Sequence, residues 1–441
     1  MKILNRLELE RSERHKLILD ILEEGLKSAD PYLSTIEVLN NLSRELSKYQ
    51  RKVVIGFGKA SYRMALASER ILDEIQAGGI IVPKGSLQVN ELKKIRAYEG
   101  THPIPSQINV EATKEVLSLL SGLTEDDLVI CLISGGGSAL FVQPDGISLS
   151  EKQEVTRLLL SCGANIHEIN CIRKHLSAVK GGNLARLIYP ANGICLLLSD
   201  VVGDDMDTIA SGPTSPDSTT FVDAWRILDK YRLLDKVPKS VIERIKMGID
   251  GKVPETPKAN DPIFKKIRNI IIANNMKALS AMAEKAKSFG LKPIIITSYL
   301  EGEAREVGKV IGSITRQILQ YGSPVNPPCM LLFGGETTVT VKGNGVGGRN
   351  QELALSVAMR LRGAPNVIFA SIGSDGVDGN SNAAGAIVDG DTLKEAEEAG
   401  LSPSAYLENN DSNSFFERLK RAIHTGPTGT NVNDITILAV F

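Results

Sequence analysis

The chain predicts an α/β protein in two parts: a Rossmann-like doubly wound parallel sheet, then a second α/β domain with a mixed sheet. Three observations carry this. Its 441 residues exceed what a single hydrophobic core usually serves. Short apolar runs alternate with helical periodicity, which calls for parallel strands covered by helices on both faces. Six glycine-punctuated polar clusters, most directly after an apolar run, stand where strand ends would open a ligand crevice: GFGKAS at 56–61, SGGGSAL at 134–140, SDVVGDD at 199–205, GGETTVTV at 334–341, GVGGRNQE at 345–352 and GSDGVDG at 373–379.

Leu17, Ile18, Ile21, Leu22 and Leu26 recur at helical spacing and predict an amphipathic first helix over 13–28, interrupted by Asp30-Pro31. Strand Lys52–Ile55, a helix over 61–77, strand Gly79–Val82, a helix over 109–121, strand Leu128–Ile133 and a helix from Ser138 follow. A helix over 150–162 ends at Gly163, another over 166–188 is broken by Gly181-Gly182, and strand Gly193–Leu198 completes the first sheet unit. The segment VPETPKANDP at 253–262 is the sharpest shift in composition, so the domain boundary is placed near 255, giving 1–255 and 256–441. Beyond it the pattern predicts strand Asn269–Ala273, helix 276–289, strand Lys292–Thr297, helix 303–321, strand Met330–Phe333 and a β-rich Thr337–Lys342. Helix 351–361, strand Val367–Ser371 and a closing strand Asp434–Val440 end the chain.

With 51 basic and 52 acidic residues the net charge is −1, so no global field draws in nucleic acid or an anionic membrane. Any anion binding must be local. Five cysteines lack zinc-type spacing, and Cys131, Cys195 and Cys329 lie in or beside apolar runs, as reduced buried thiols of a cytoplasmic protein would. The N-terminus has no signal-peptide core, and no run reaches the roughly 18 apolar residues of a membrane span.

Val53–Ser61 reads strand, glycine turn, helix, delivering backbone N–H groups to an anion beside Lys59. It is neither a dinucleotide fingerprint, since Val82-Pro83-Lys84 supplies no acid for a ribose, nor a Walker loop. A tight turn with a surface lysine is the plainer alternative. Ser134-Gly135-Gly136-Gly137-Ser138 lets a phosphate or carboxylate approach the main chain closely; close helix packing would need fewer glycines and no hydroxyls. Asp200, Asp204, Asp205 and Asp207 follow a strand end, where one or two could hold Mg²⁺ or accept a proton while the others cap turns. Glu336 is similarly placed, Arg349 can grip a planar oxyanion, and Asp375 and Asp378 are metal or base candidates unless they merely form Asp-Gly turns. Asn170–Lys180 carries Arg173, Lys174, His175 and Lys180, either a carboxylate-binding face or a solvated one. The remaining histidines, His15, His102, His167 and His424, show no zinc spacing.

Taken together SGGGSAL, NCIRKHLSAVKGGNLA, SDVVGDDMDTIASGPTSPD, GGETTVTVKGNGVGGRNQELAL and GSDGVDG resemble the glycerate kinase family whose C-terminal part is the MOFRL domain, over nearly the whole chain. The resemblance implies a Rossmann-like N-terminal domain, a distinct C-terminal α/β domain and substrates in the cleft between. It implies transfer of the γ-phosphoryl of ATP to D-glycerate, giving 2-phosphoglycerate, with Mg²⁺ or another divalent cation, and a homodimer. Lys59 and Arg349 become the catalytic pair, completing a cationic shell when the cleft closes. On this reading Gly58, Ser134, Gly135, Gly136, Gly137, Ser138, Lys180 and Asn350 bind substrate or nucleotide. Asp200 or Asp204 with Glu336 or Asp375 would hold the metal, and one carboxylate, with Asp200 as the catalytic choice, would orient the C2 hydroxyl. Two rivals stand beside it: an oxidoreductase acting on hydroxypyruvate or tartronate, disfavoured by the missing ribose acid, and a non-catalytic anion-binding protein, which leaves the acidic clusters without a purpose.

Overall fold

The computed structural model describes residues 2–87 and 91–441. Its strands in chain order are β1 (Lys52–Phe57), β2 (Ala77–Pro83), β3 (Arg96–Gly100), β4 (Leu128–Ile133), β5 (Asn192–Leu198), β6 (Ile267–Ala273), β7 (Lys292–Leu300), β8 (Cys329–Gly335), β9 (Val367–Gly373), β10 (Gly385–Asp389), β11 (Ala422–Ile423) and β12 (Asp434–Val440). The first six form one all-parallel sheet in the order β3-β2-β1-β4-β5-β6. The apolar runs read as buried strands sit at its centre: every residue of β4 is buried, and Gly56 of β1 stands between Ile80 and Leu132. The chain order reverses between β1 and β4, which makes the ends of these two strands the sheet's topological switch point.

The other six form a mixed sheet in the order β11-β10-β9-β12-β8-β7, in which β7 and β8 run parallel and the remaining pairs antiparallel. Leu331, Phe333, Phe369 and Leu438 pack from this sheet against helices Ala304–Tyr321 and Arg349–Leu361. A third cluster, of Val155, Ile172, Phe221, Leu228 and Ile245, joins helices that follow β4 and β5.

Two compact units result, Pro31–Ile272 and Met1–Asp30 with Ala273–Phe441. The division differs from the boundary placed near 255 in three respects. The strand assigned to the second domain, β6, lies beside β5 in the parallel sheet. The proline-rich segment before it is packed rather than a linker: Glu255 accepts from the Phe221 N–H at 2.8 Å and Thr256 donates to Asp217 at 2.9 Å. The first helix, Glu13–Ser28, belongs with the mixed sheet, where His15 meets Asp389 at 3.1 Å, Arg11 pairs with Glu395 and Thr430 donates to the Ala29 carbonyl at 2.7 Å. Amphipathic spacing shows that a face is buried, not which sheet buries it.

Thr337–Lys342 forms only an isolated bridge, Glu303 to Thr338. Side chains take its backbone donors instead, the Glu303 carboxylate that of Thr340 and the Asn410 carbonyl those of Lys342 and Gly343. All five cysteines are free thiols, and among the described residues no helix is long and apolar enough to cross a membrane.

Candidate active site

In the parallel-sheet unit the loops after β1 and β4 close on each other at the switch point. Gly58 has φ +120°, and a Cβ there would collide with Ser134, so only glycine lets the two turns touch. The Lys59 N–H donates to the Gly135 carbonyl at 2.9 Å and the Ala60 N–H to the Ser134 hydroxyl at 3.0 Å. Ser134 is therefore the pin between the turns. It is buried and does not line a ligand cradle as its sequence context suggested.

Gly136, at φ +82°, is the half-buried crest of this turn; a Cβ would meet the His102 ring at 3.2 Å and the Lys59 Cγ at 3.3 Å. The Lys59 stem thus crosses Gly136 and presents an ammonium that, among the described residues, has no ion-pair or hydrogen-bond partner. His102 is held below the ordinary imidazole range by burial and then by the Lys59 charge, so it is neutral at pH 7. Its position, two residues beyond the end of β3, is the signal that ligand-spacing arguments passed over. On the far side of the turn the Asp200 carboxylate lies where a Gly135 side chain would be. A lysine, a neutral histidine and a carboxylate thus surround one glycine turn.

Lys180 corrects a sequence-level assignment. Its side chain is fully buried and its ammonium donates to the Gly137 and Ala210 carbonyls at 2.8 and 2.9 Å, above the stacked rings of Phe57 and Phe141. It braces the glycine loop through the Gly137 carbonyl. Ser138 meets Ser211 at 2.9 Å, and Ser211 donates to Asn170 at 3.1 Å, tying the loop's far end to helix Ile166–His175. Of the four neighbouring acids, Asp207 pairs with Lys174 at 3.0 Å, the Asp205 carbonyl accepts from Thr208 and Ile209, and Asp204 occupies a turn with φ +60°.

In the mixed-sheet unit Arg349 begins helix Arg349–Leu361. Its Nε and Nη2 donate to Asp434 at 2.7 and 3.0 Å, and its Nη1 to Glu336 at 2.7 Å. Glu336 is therefore a counter-ion of Arg349 through its Oε1. Asn350, assigned to binding from sequence, also turns inward: its amide donates to Asp378 and Asp434, and its carbonyl accepts from Ser371 at 2.6 Å. Asp378 caps the helix, accepting the Asn350 and Gln351 N–H groups at 3.0 and 2.9 Å. Asp375 remains half-buried, accepting the Val377 N–H at 3.1 Å. Asp434 was missed as a site residue: in sequence it only opens the closing strand Asp434–Val440, and the sheet register is what places it opposite Gly335 and Gly373. Burial pushes its carboxyl up, to about 7, against the downward pull of Arg349 and Asn350.

A doubly wound sheet whose switch point carries a free lysine, a glycine turn and a carboxylate defines an α/β protein with polar groups gathered at its strand ends, where ligands of such sheets bind. The chain belongs to the glycerate kinase family. Residues 17–246 match the model described as "Domain of unknown function (DUF4147)" and residues 329–434 match the MOFRL family. A glycerate 2-kinase of Pyrococcus horikoshii is 44% identical over 431 residues, 96% of each chain. A D-glycerate 2-kinase of Thermotoga maritima is 42% identical over 423 residues, 96% of this chain and 97% of that one. The crystal structure of a Thermotoga maritima glycerate kinase superposes with a TM-score of 0.89 at 41% identity, covering 97% of this chain and 99% of the other.

Proposed function

We propose that this chain is a glycerate 2-kinase, transferring the γ-phosphoryl group of ATP to the C2 hydroxyl of D-glycerate. The observation that carries the reading is the arrangement at the switch point, an unpaired Lys59 ammonium and the Asp200 carboxylate on opposite sides of one glycine turn, in a chain alike over its full length to glycerate 2-kinases. Phosphoryl transfer asks for positive charge around the migrating group and for an oriented acceptor hydroxyl. Lys59 supplies charge at the turn, Asp200 accepts the proton of the attacking hydroxyl, and Arg349 supplies a second, pre-oriented cation.

Among the described residues no three carboxylate, histidine or cysteine side chains gather into a cage. That donor set suits a Mg²⁺ held chiefly by nucleotide phosphates with one or two carboxylates, for which Asp200, Asp204 and Asp375 are the candidates. Bound there, the ion would neutralise charge on the phosphates. Phosphorus NMR of the product formed from ATP, Mg²⁺ and D-glycerate tests the reading. A 2-phosphoglycerate resonance supports it; no transfer, or a 3-phosphoglycerate resonance, overturns it.

A further inference from the structure

We propose that Arg173 is an oxyanion-binding residue of this site and that it takes the carboxylate of the hydroxy acid. The inference deepens the kinase reading and rests on it for the identity of the acid. Arg173 lies in the last turn of helix Ile166–His175, three residues after Asn170 and so on the same face. Asn170 accepts the Ser211 hydroxyl that meets Ser138. The helix face carrying Arg173 is thus joined to the glycine-rich loop through Asn170, Ser211 and Ser138.

Three basic side chains gather here, Lys152, Arg173 and Lys180, near enough for each to oppose another's charge. Among the described residues none of them has a carboxylate partner. Their sequence neighbours do: Lys174 has Asp207 and Asp217, and His175 has Glu255. Local acids are thus committed to the adjacent cations, and the Arg173 guanidinium is left without a compensating acid in a partly desolvated place. Such charge is costly unless an anion arrives to compensate it.

Only one of the three can meet that anion. Lys152 directs its ammonium to the Arg173 and Leu176 carbonyls at 3.3 and 3.4 Å, and Lys180 directs its own to Gly137 and Ala210; both are buried. Arg173 is half-buried and, among the described residues, its guanidinium has no hydrogen-bond partner. Burial lowers its basicity and no protein group raises it. A planar fork with open donors, on a helix tied to the glycine loop through Asn170 and Ser211, matches a carboxylate through two parallel bonds.

The test is binding to Arg173→Met and Arg173→Gln, with D-glycerate, a non-hydrolysable ATP analogue and inorganic phosphate as separate probes. The expected result has two parts. The ligand-free variants unfold at or above the wild-type temperature, because removing an uncompensated cation relieves repulsion. Affinity for D-glycerate falls at least about tenfold while that for the nucleotide analogue holds. If the nucleotide or phosphate loses affinity instead, the oxyanion site stands and the bound group is a phosphate. Unchanged affinity for all three probes, or lower stability with every affinity reduced alike, overturns the assignment. Because binding is read without turnover, wild-type protein that binds D-glycerate but forms no phosphoglycerate defeats the kinase reading and leaves this test valid.

Discussion

Arg349 and Asp434 meet as a two-pronged pair, Nε to Oδ2 at 2.7 Å and Nη2 to Oδ1 at 3.0 Å, which fixes the plane of the guanidinium from the first residue of β12. Asp434 is itself held by the Asn350 amide at 3.0 Å. Asp434→Asn should keep the shape but remove the charge, leaving Glu336 as the remaining carboxylate partner of Arg349 and its plane less firmly fixed. We expect kcat to fall about tenfold to a hundredfold. Stability should drop by about 1–3 kcal/mol, less than for a fully buried pair because the Arg349 side chain keeps 31% exposure. Steady-state kinetics and urea unfolding of the variant check both, and unchanged kcat would make the pair purely structural.

Arg349→Lys separates orientation from charge. An ammonium cannot reach Asp434 twice and Glu336 once, so a loss of at least about tenfold in kcat is expected with the net charge conserved. Full turnover in this variant would remove Arg349 from the mechanism.

Lys59 is the opposite kind of cation, exposed and unpaired among the described residues. Lys59→Met should therefore leave the unfolding midpoint unchanged and reduce kcat at least about a hundredfold. Normal activity would reduce the first glycine turn to scaffolding.

How far the sequence can be read depends on whether a side chain's role is local. Glycine loops after β1 and β4, and the buried runs Val53–Phe57 and Leu128–Ile133, are legible because strand burial and left-handed turns leave local marks. The direction of a polar side chain leaves none. Lys180, Ser134 and Asn350 lie in or next to the glycine-rich turns but make their hydrogen bonds inward, and Glu336 pairs with Arg349, none of which is marked locally. Asp434 is 85 positions from Arg349 and needs the β8-β12-β9 register to be recognised. Arg173 reads as one charge of a basic helical face, and becomes informative only when its neighbours' counter-ions are counted.

The contact between Gly135 and Asp200 gives a prediction for the turn itself. A methyl group at Gly135 would occupy the position of the Asp200 carboxylate, so Gly135→Ala must push that carboxylate away. Overpacking of this kind costs about 1–3 kcal/mol. If Asp200 receives the proton of the acceptor hydroxyl, kcat should fall at least about tenfold with far-UV circular dichroism unchanged. Wild-type kcat in a folded Gly135→Ala protein would show that the position of Asp200 does not matter to transfer.

Two buried bases give opposite pH dependences over the same range. Burial opposes the charge on His175, but its hydrogen bonds to Cys171 and Glu255 prevail and raise it to about 9, while Glu255 comes down to about 2. A pKa raised on folding contributes stability that is complete below the unfolded value near 6.5 and is lost as pH rises through 9. Lys152 behaves in reverse. Burial, then repulsion from Arg173, lowers it to about 7, so between pH 7 and the unfolded value near 10.4 the unfolded chain holds the extra proton and stability rises with pH. From pH 7 to 9 the two slopes oppose, and the wild-type urea midpoint should change little. His175→Gln should leave the Lys152 slope alone, so that stability climbs across this range. Lys152→Met should leave the His175 slope alone, so that it declines. Parallel curves for all three proteins would mean that neither group titrates with folding.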